Sequence, residues 1–135
     1  MKELLKQLIA IDSTKSEIEL AISIEQYLRE KFSDRLFYTK QFIQESDRYN
    51  LIVWNCEKPE ILLAWHMDTV PISCNDQFVP VEKDGKIYWR WACDMKWWLA
   101  ILINIIEKII NTDKNFWILF YCDEEYYFEW MQQFC

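Results

Sequence analysis

Residues 61–71 have the sequence ILLAWHMDTVP, in which four apolar residues lead into a polar cluster. A short, unbroken apolar run is typical of a strand that is buried on both faces of a sheet. We therefore predict such a strand at residues 61–64. The polar cluster that follows, His66-Met67-Asp68, is then expected at the carboxyl end of the strand, where ligands collect in open α/β sheets.

Predicted strands and helices alternate along the rest of the chain. The apolar spacing of residues 4–9 predicts an amphipathic first helix. Ser16-Glu17-Ile18-Glu19 has the form of a capping box and predicts a second helix that continues to about residue 31. The other predicted elements are strands at 36–43, 49–54, 78–81, 86–90 and 116–122, a hairpin turn at 83–85 and a helix at 95–110. This order predicts the α/β class, with helices packed on a largely parallel (mixed) central sheet.

Bulk composition excludes several classes of protein. The 135 residues are enough for one domain, and 52% of them are apolar. A net charge of −7 without a basic run argues against a nucleic-acid partner. The N-terminus lacks the pattern of a signal peptide, and the longest apolar stretch, residues 97–110, is too short and too interrupted to span a membrane. Five cysteines without a CxxC pair suit reduced thiols, so we expect a cytoplasmic protein with no membrane partner.

Three polar clusters follow predicted strands or precede a predicted helix. They are His66 with Asp68, Asp94 before the long helix, and Asp123-Glu124-Glu125 after the last strand. Histidine nitrogen and carboxylate oxygen are ligands that zinc accepts. Because residues i and i+2 of an extended segment share a face, Asp68 could orient the ring of His66. The clusters together indicate a candidate metal site.

Each cluster also has a structural interpretation that the residue types alone leave open. A lone histidine such as His66 is more often a hydrogen-bonded structural residue than a ligand. Asp94 before a helix can be an N-cap, and residues 123–125 can form a solvated turn. The case for a metal site depends on the three clusters occurring together.

Four segments, taken in order, resemble one known family. Residues 48–53 (RYNLIV) resemble a strand written R-x-N plus apolar residues, and residues 61–71 resemble an apolar strand followed by G-H-x-D-x-V-P. Residues 84–100 (DGKIYWRWACDMKWWLA) resemble D-G-x-[IL]-Y-G-R-G-x-x-D-M-K-G-G-x-A, and residues 123–125 resemble D-E-E. On these motifs the chain resembles metallopeptidase family 20. Its members are amidohydrolases and include aminoacylases, acetylornithine deacetylase, succinyl-diaminopimelate desuccinylase, carboxypeptidase G and tripeptide-type aminopeptidases.

The resemblance implies a zinc-exopeptidase-like catalytic domain that cleaves the amide bond of an N-acyl amino acid or a short peptide. It implies two zinc ions, with cobalt or manganese as substitutes. His66 would ligate one metal, Asp94 would bridge the two, and Glu125 would ligate the second. Asp68 would orient His66, and Glu124 would be the general base that takes a proton from the attacking water.

The chain departs from the family pattern in its tryptophans, of which it has eight against one glycine. The tryptophans that stand where the family has glycine are Trp65, Trp89, Trp91, Trp97, Trp98 and Trp130. Indoles at positions that need glycine are expected to clash. Our hypothesis is that UGA codons read as glycine in the source organism have been translated as tryptophan. UGG codons at these six positions would refute it.

The second departure is length. A two-zinc site needs about five protein ligands, and the resemblance supplies three. We therefore expect residues 1–135 to be the N-terminal part of the catalytic domain, without the inserted dimerisation domain or the C-terminal part. A homodimer is then one option for the full-length protein. The alternative is a catalytically inactive fragment or an aromatic-rich interaction module with an exposed sheet edge. As printed, the chain is expected to bind zinc weakly.

Overall fold

The computed structural model describes four parts of the chain, residues 1–43, 48–71, 79–89 and 92–125. Its regular elements, in chain order, are α1 (Lys2–Ile9), α2 (Ile18–Phe32), a 3-10 turn (Ser33–Arg35), β1 (Phe37–Phe42), β2 (Tyr49–Trp54), β3 (Ile61–His66), β4 (Val81–Lys83), β5 (Lys86–Tyr88), an irregular segment (Ala92–Lys96), α3 (Trp97–Ile109) and β6 (Phe116–Tyr121). No helix within these ranges has the length and apolar character needed to cross a membrane.

The main sheet has four strands in the order β1-β2-β6-β3. β2 pairs antiparallel with both β1 and β6, whereas β3 pairs parallel with β6. The α/β class with a mixed sheet is confirmed, although only one of the three strand pairings described in this sheet is parallel. The connection from Phe42 to Tyr49 explains the first antiparallel pair, because a parallel pair needs a crossover of a dozen or more residues.

The hydrophobic core lies between the three helices and one face of the sheet. The strand residues of this face alternate, and they pack against apolar side chains from all three helices. The strand residues that contribute to it most deeply are Leu51, Val53, Phe116, Ile118 and Phe120. Burial of α1 through Leu4, Leu5, Leu8 and Ile9 confirms the predicted apolar face of the first helix.

The opposite face of the sheet carries a much smaller cluster, formed by Ile43, Leu119 and Cys122. The prediction that residues 61–64 are buried on both faces is therefore wrong in the described structure. Leu62 is 50% exposed, because the alternate residues Ile61, Leu63 and Trp65 pack on the core and no described segment covers the opposite face of β3 at Leu62.

The predicted hairpin is confirmed, with a two-residue turn at Asp84-Gly85 between β4 and β5. Both turn residues have positive φ, 52° and 72°, as a type I′ turn requires. This explains the glycine at position 85. The first hairpin strand lies at Val81–Lys83 rather than at 78–81, and Phe78 lies outside the described residues.

Two helix starts differ from the sequence prediction. The N-cap of α2 is Glu17 without a side-chain cap, and Ser16 Oγ accepts a hydrogen bond from the backbone N–H of Ile18 instead of closing a capping box. α3 begins at Trp97 rather than at residue 95. The cause is Asp94, whose φ of −122° and ψ of 92° are not helical and interrupt the segment before α3.

Candidate metal centre

The parallel pair β3–β6 brings two of the polar clusters to one edge of the sheet. Ile61 lies opposite Phe116, and His66 lies opposite Tyr121, so the two strands end together. His66 is the last residue of β3, while Glu124 and Glu125 form the turn that follows β6. Asp94 comes from the irregular segment before α3 and reaches the same edge. The structure thus brings together all five predicted site residues.

His66 is buried, and its two ring nitrogens both face oxygen acceptors. Nδ1 lies 3.1 Å from the carbonyl oxygen of Asp68 and 3.7 Å from its Oδ1. Nε2 lies 3.2 Å from Oδ1 of Asp94. Burial lowers the pKa of His66, but Asp68, Glu124 and Asp94 raise it by more, so the pKa lies above its ordinary value. The surroundings of the ring favour positive charge.

Asp68 is buried and joins the ends of the two strands. Its Oδ2 accepts a hydrogen bond of 2.8 Å from the backbone N–H of Glu125. Burial raises the pKa of Asp68, but its contact with His66 and the N–H groups of Glu125 and Glu124 lower the pKa further. Its Oδ1 is buried and has no hydrogen-bond partner among the described residues. Asp68 is therefore a buried carboxylate with spare acceptor capacity.

The side chains of His66, Glu124 and Glu125 form a compact group of nitrogen and oxygen atoms. One potential ligand atom from each lies within 4.8 Å of the other two. Burial, followed by the charge of Glu124, raises the pKa of Glu125. Asp94 is not part of this group of three, and its side chain is 77% exposed, although it contacts His66.

The chain has relatives of known family. The sequence model of Peptidase family M20/M25/M40 matches residues 62–129. An acetylornithine deacetylase from Vibrio parahaemolyticus serotype O3:K6 (strain RIMD 2210633) is 32% identical over 101 residues, which cover 70% of this chain and 27% of the relative. A succinyl-diaminopimelate desuccinylase from Sulfurovum sp. (strain NBC37-1) is 31% identical over 102 residues, which cover 73% of this chain and 24% of the relative.

The chain belongs to Peptidase family M20/M25/M40. A further relative, a succinyl-diaminopimelate desuccinylase from Herminiimonas arsenicoxydans, is 37% identical over 60 residues. These cover 41% of this chain and 16% of the relative. The chain thus spans about a quarter or less of the length of the relatives it matches.

The donor set of this M20/M25/M40 chain fits a bound metal. Nδ1 of His66 faces oxygen acceptors, so a proton on this nitrogen suits its contacts. In a neutral ring Nε2 then has no proton, and it faces the carboxylate of Asp94 as one acceptor facing another. A cation at Nε2 would satisfy both groups. The carboxylates of Glu124 and Glu125, together with Oδ1 of Asp68, which lies beside Nδ1 and has no hydrogen-bond partner among the described residues, add negative charge around the ring. Imidazole with carboxylates is a donor set that zinc accepts.

A buried ion-pair network that the sequence analysis did not predict supports the Glu124-Glu125 turn. Arg48 makes two hydrogen bonds to the carboxylate of Glu17, through Nε at 3.0 Å and Nη2 at 2.5 Å. Its Nη1 donates a third, of 3.2 Å, to Oδ1 of Asp123. Glu17 and Asp123 are both buried. The R-x-N motif includes Arg48, but its acidic partners lie 31 and 75 residues away, and no local pattern connects them.

Four of the six tryptophans at family glycine positions lie within the described residues, and three of them show how the indoles are accommodated. Trp97 and Trp98, at the start of α3, are 37% and 41% exposed, so neither indole needs a fully buried space. Trp65 stacks on Trp98 with 4.7 Å between ring centroids, and its Nε1 is buried without a hydrogen-bond partner among the described residues. Trp91 and Trp130 lie outside the described residues.

The two tryptophans at other positions differ from Trp65 in their hydrogen bonding. Nε1 of Trp54 donates to Oγ1 of Thr39 at 3.1 Å, and Nε1 of Trp117 donates to the carbonyl oxygen of Cys56 at 2.7 Å. A buried indole N–H usually has such a partner. The unpaired N–H of Trp65 is therefore consistent with the hypothesis that position 65 is a glycine.

Proposed function

We propose that residues 1–135 are the N-terminal part of the catalytic domain of a metal-dependent hydrolase that cleaves the amide bond of an N-acyl amino acid or a short peptide. The observation that carries the proposal is the grouping of His66, Glu124 and Glu125 at the shared end of β3 and β6. Relatives named as a deacetylase and desuccinylases support the substrate class.

Three residues would hold two zinc ions, for which cobalt or manganese could substitute. His66 would ligate one ion, Glu125 would ligate the other, and Asp94 would be shared between them. When bound, such ions lower the pKa of a water molecule and polarise the carbonyl group of the substrate. Two ions need more ligands than these three, and we propose that the rest of the protein supplies them.

Glu124 would act as the general base and then as the general acid. Both glutamates lie in the turn after β6, and each offers a carboxylate oxygen within 4.8 Å of a ring nitrogen of His66, so Glu124 can act on the water while Glu125 holds the metal. The carboxylate of Glu124 would accept a proton from the attacking water and pass it to the nitrogen of the leaving amine. Asp68 would hold both the ring of His66 and the backbone of Glu125 in place.

The experiment measures amine release from N-acetyl and N-succinyl amino acids by the complete gene product. We expect release to stop when a chelator removes the metal and to return when Zn²⁺ is added. His66→Asn is expected to lose both Zn²⁺ binding and amine release. Glu60→Gln, which changes an exposed glutamate, is the matched control and should retain both.

Two results would contradict the proposal. One is amine release that continues at the same rate after the metal has been removed. The other is a His66→Asn variant with unchanged Zn²⁺ binding. Zinc binding by the complete gene product without amine release from any of these substrates would contradict the proposed activity and leave the metal site in place.

A further inference from the structure

Lys96 is a buried lysine that the proposed mechanism does not use. Its side chain is 1% exposed, although it comes directly before α3 and follows Asp94 by two residues. Its Nζ donates hydrogen bonds to the carbonyl oxygen of Ile11 at 3.1 Å and to Oγ of Ser13 at 2.9 Å. Both acceptors belong to the connection between α1 and α2.

Ser13 extends this contact to the end of β3. Its Oγ lies 3.3 Å from Oγ1 of Thr69, and either hydroxyl can donate. Its carbonyl oxygen also accepts a hydrogen bond of 3.3 Å from the backbone N–H of Thr69. Thr69 follows Asp68 directly, and both Ser13 and Thr69 are buried. A continuous chain of hydrogen bonds therefore joins Lys96, Ser13 and Thr69, and it connects the segment of Asp94 with the segment of Asp68.

Asp94 depends on its neighbours for its position. Its own side chain is largely exposed, and its backbone is neither helical nor part of a strand. The next two residues, Met95 and Lys96, are fully buried. Met95 and Lys96 are therefore the nearest buried residues that can hold the backbone of Asp94 in place, with its carboxylate at Nε2 of His66.

Burying an amine costs free energy, and an apolar side chain of similar length would avoid that cost. A lysine placed away from water loses its hydration, and hydrogen bonds to protein acceptors must offset the lost free energy. Replacing buried charged groups with apolar residues of similar volume is often neutral or stabilising. Stability alone therefore does not explain a lysine at position 96. Its directed hydrogen bonds to the α1–α2 connection do explain it, because an apolar side chain could not make them.

We propose that Lys96 is a positioning residue for the metal centre, and that its hydrogen bonds through Ser13 to Thr69 set the placement of Asp94 relative to His66 and Asp68. This inference deepens the proposed function and rests on it. Lys96 acts through Asp94 and does not itself contact substrate or metal.

The test uses the complete gene product with ¹⁵N-labelled histidine and reads the ring nitrogens of His66 by NMR without metal. The signals of His66 are assigned by their loss in His66→Asn. We expect Lys96→Met to move the Nε2 signal, because the contact with Asp94 is displaced. Ser13→Ala should move it in the same direction, and Ser13→Thr, which keeps the hydroxyl, should restore it. Groups that orient metal ligands typically change affinity tenfold to a hundredfold, so we expect Lys96→Met to weaken Zn²⁺ binding by at least roughly tenfold.

Lys108→Met is the matched control, because it removes an exposed lysine from the other end of the same helix. It should leave the His66 signals and Zn²⁺ affinity unchanged. Unchanged Nε2 signals in folded Lys96→Met or in Ser13→Ala would overturn the inference, even if thermal stability changed. If Lys96→Met does not fold, the Nε2 signal of His66 in Ser13→Ala alone decides whether the inference holds. The proposed function fails separately if the wild-type protein binds no Zn²⁺. In that case the His66 signals of Ser13→Ala can still differ from those of the wild type.

Discussion

Arg48 donates a hydrogen bond of 3.2 Å from Nη1 to Oδ1 of Asp123, the residue directly before the Glu124-Glu125 pair. Asp123 has a φ of 73°, a left-handed backbone conformation that costs free energy in residues other than glycine. The same guanidinium donates two hydrogen bonds to the carboxylate of the buried Glu17, and this contact raises the pKa of Arg48. Arg48 thus ties the turn after β6 to the start of α2.

The first prediction concerns removal of this arginine. Arg48→Met leaves the carboxylates of Glu17 and Asp123 buried without their cation, so we expect it to lower the free energy of unfolding by about 3 kcal/mol. Urea denaturation measures this loss. The double variant Arg48→Met/Glu17→Met should recover part of it, since one unpaired charge is then gone. A single variant as stable as the wild type would show that the network is not stabilising.

The second prediction separates the two adjacent glutamates. Glu124→Gln should lower kcat by a factor of 10² to 10⁴, the usual contribution of a general base, while Zn²⁺ affinity changes little. Glu125→Gln should instead weaken Zn²⁺ binding, because a ligand oxygen loses its charge. Kinetics at saturating Zn²⁺ and a Zn²⁺ titration distinguish the two. The roles are reversed if Glu124→Gln loses the metal and Glu125→Gln keeps it.

The third prediction compares two tryptophans. Trp117→Phe removes a hydrogen bond of 2.7 Å to the carbonyl oxygen of Cys56, so we expect it to cost about 1 kcal/mol of stability. Trp65→Phe removes a buried N–H that has no partner in the described part of the chain, so it should be neutral or stabilising. Thermal unfolding of the two variants measures the difference. An equal loss of stability in both would mean that the N–H of Trp65 has a partner in solution.

The fourth prediction concerns the identity of the residues at the six family glycine positions. If UGA is read as glycine, mass spectrometry of peptides from the native organism will show glycine at Trp65, Trp89 and the other four positions. A chain made with glycine at all six should be more soluble and bind Zn²⁺ more tightly than the printed chain. UGG codons, or tryptophan in the native peptides, would refute the recoding hypothesis.

The fifth prediction concerns the contact between α2 and α3. Burial raises the pKa of Glu107, but hydrogen bonds from Lys31 and Tyr27 lower it further, below its ordinary value of 4.5. A depressed pKa in the folded state means that the contribution of Glu107 to stability is complete above pH 4.5 and is lost as the pH falls through the folded-state pKa. Melting temperatures of the wild type and Glu107→Gln should therefore differ at pH 7 and converge in acid. A difference in melting temperature that stays constant with pH would show that the ionised carboxylate of Glu107 is not its cause.

Much of the secondary structure could be predicted because its signals are local. The apolar spacing of α1 and the Asp84-Gly85 turn are each contained in a few consecutive residues, and both were predicted at the right place. The start of α3 was missed by two residues, because the unusual backbone of Asp94 has no counterpart in the apolar pattern.

The site could be predicted only as a set of residue types. His66, Asp94 and the 123–125 cluster are recognisable because their motifs are local and because polar residues after buried strands meet at one sheet edge. The contacts that support the site were not predicted. Arg48 and Asp123 are 75 positions apart, and Lys96 and Ser13 are 83 apart, so only the folded chain brings each pair together.

The amino-acid sequence alone was sufficient for the family, the α/β class and the candidate ligands, because these depend on motifs and on the periodicity of apolar residues. Tertiary structure was needed for the place of β2 between β1 and β6, the exposure of Leu62 and the burial of Lys96. The physical reason is that strand order and burial depend on which distant segments exclude water from each other. That exclusion is a property of the packed chain, and no short stretch of residues encodes it.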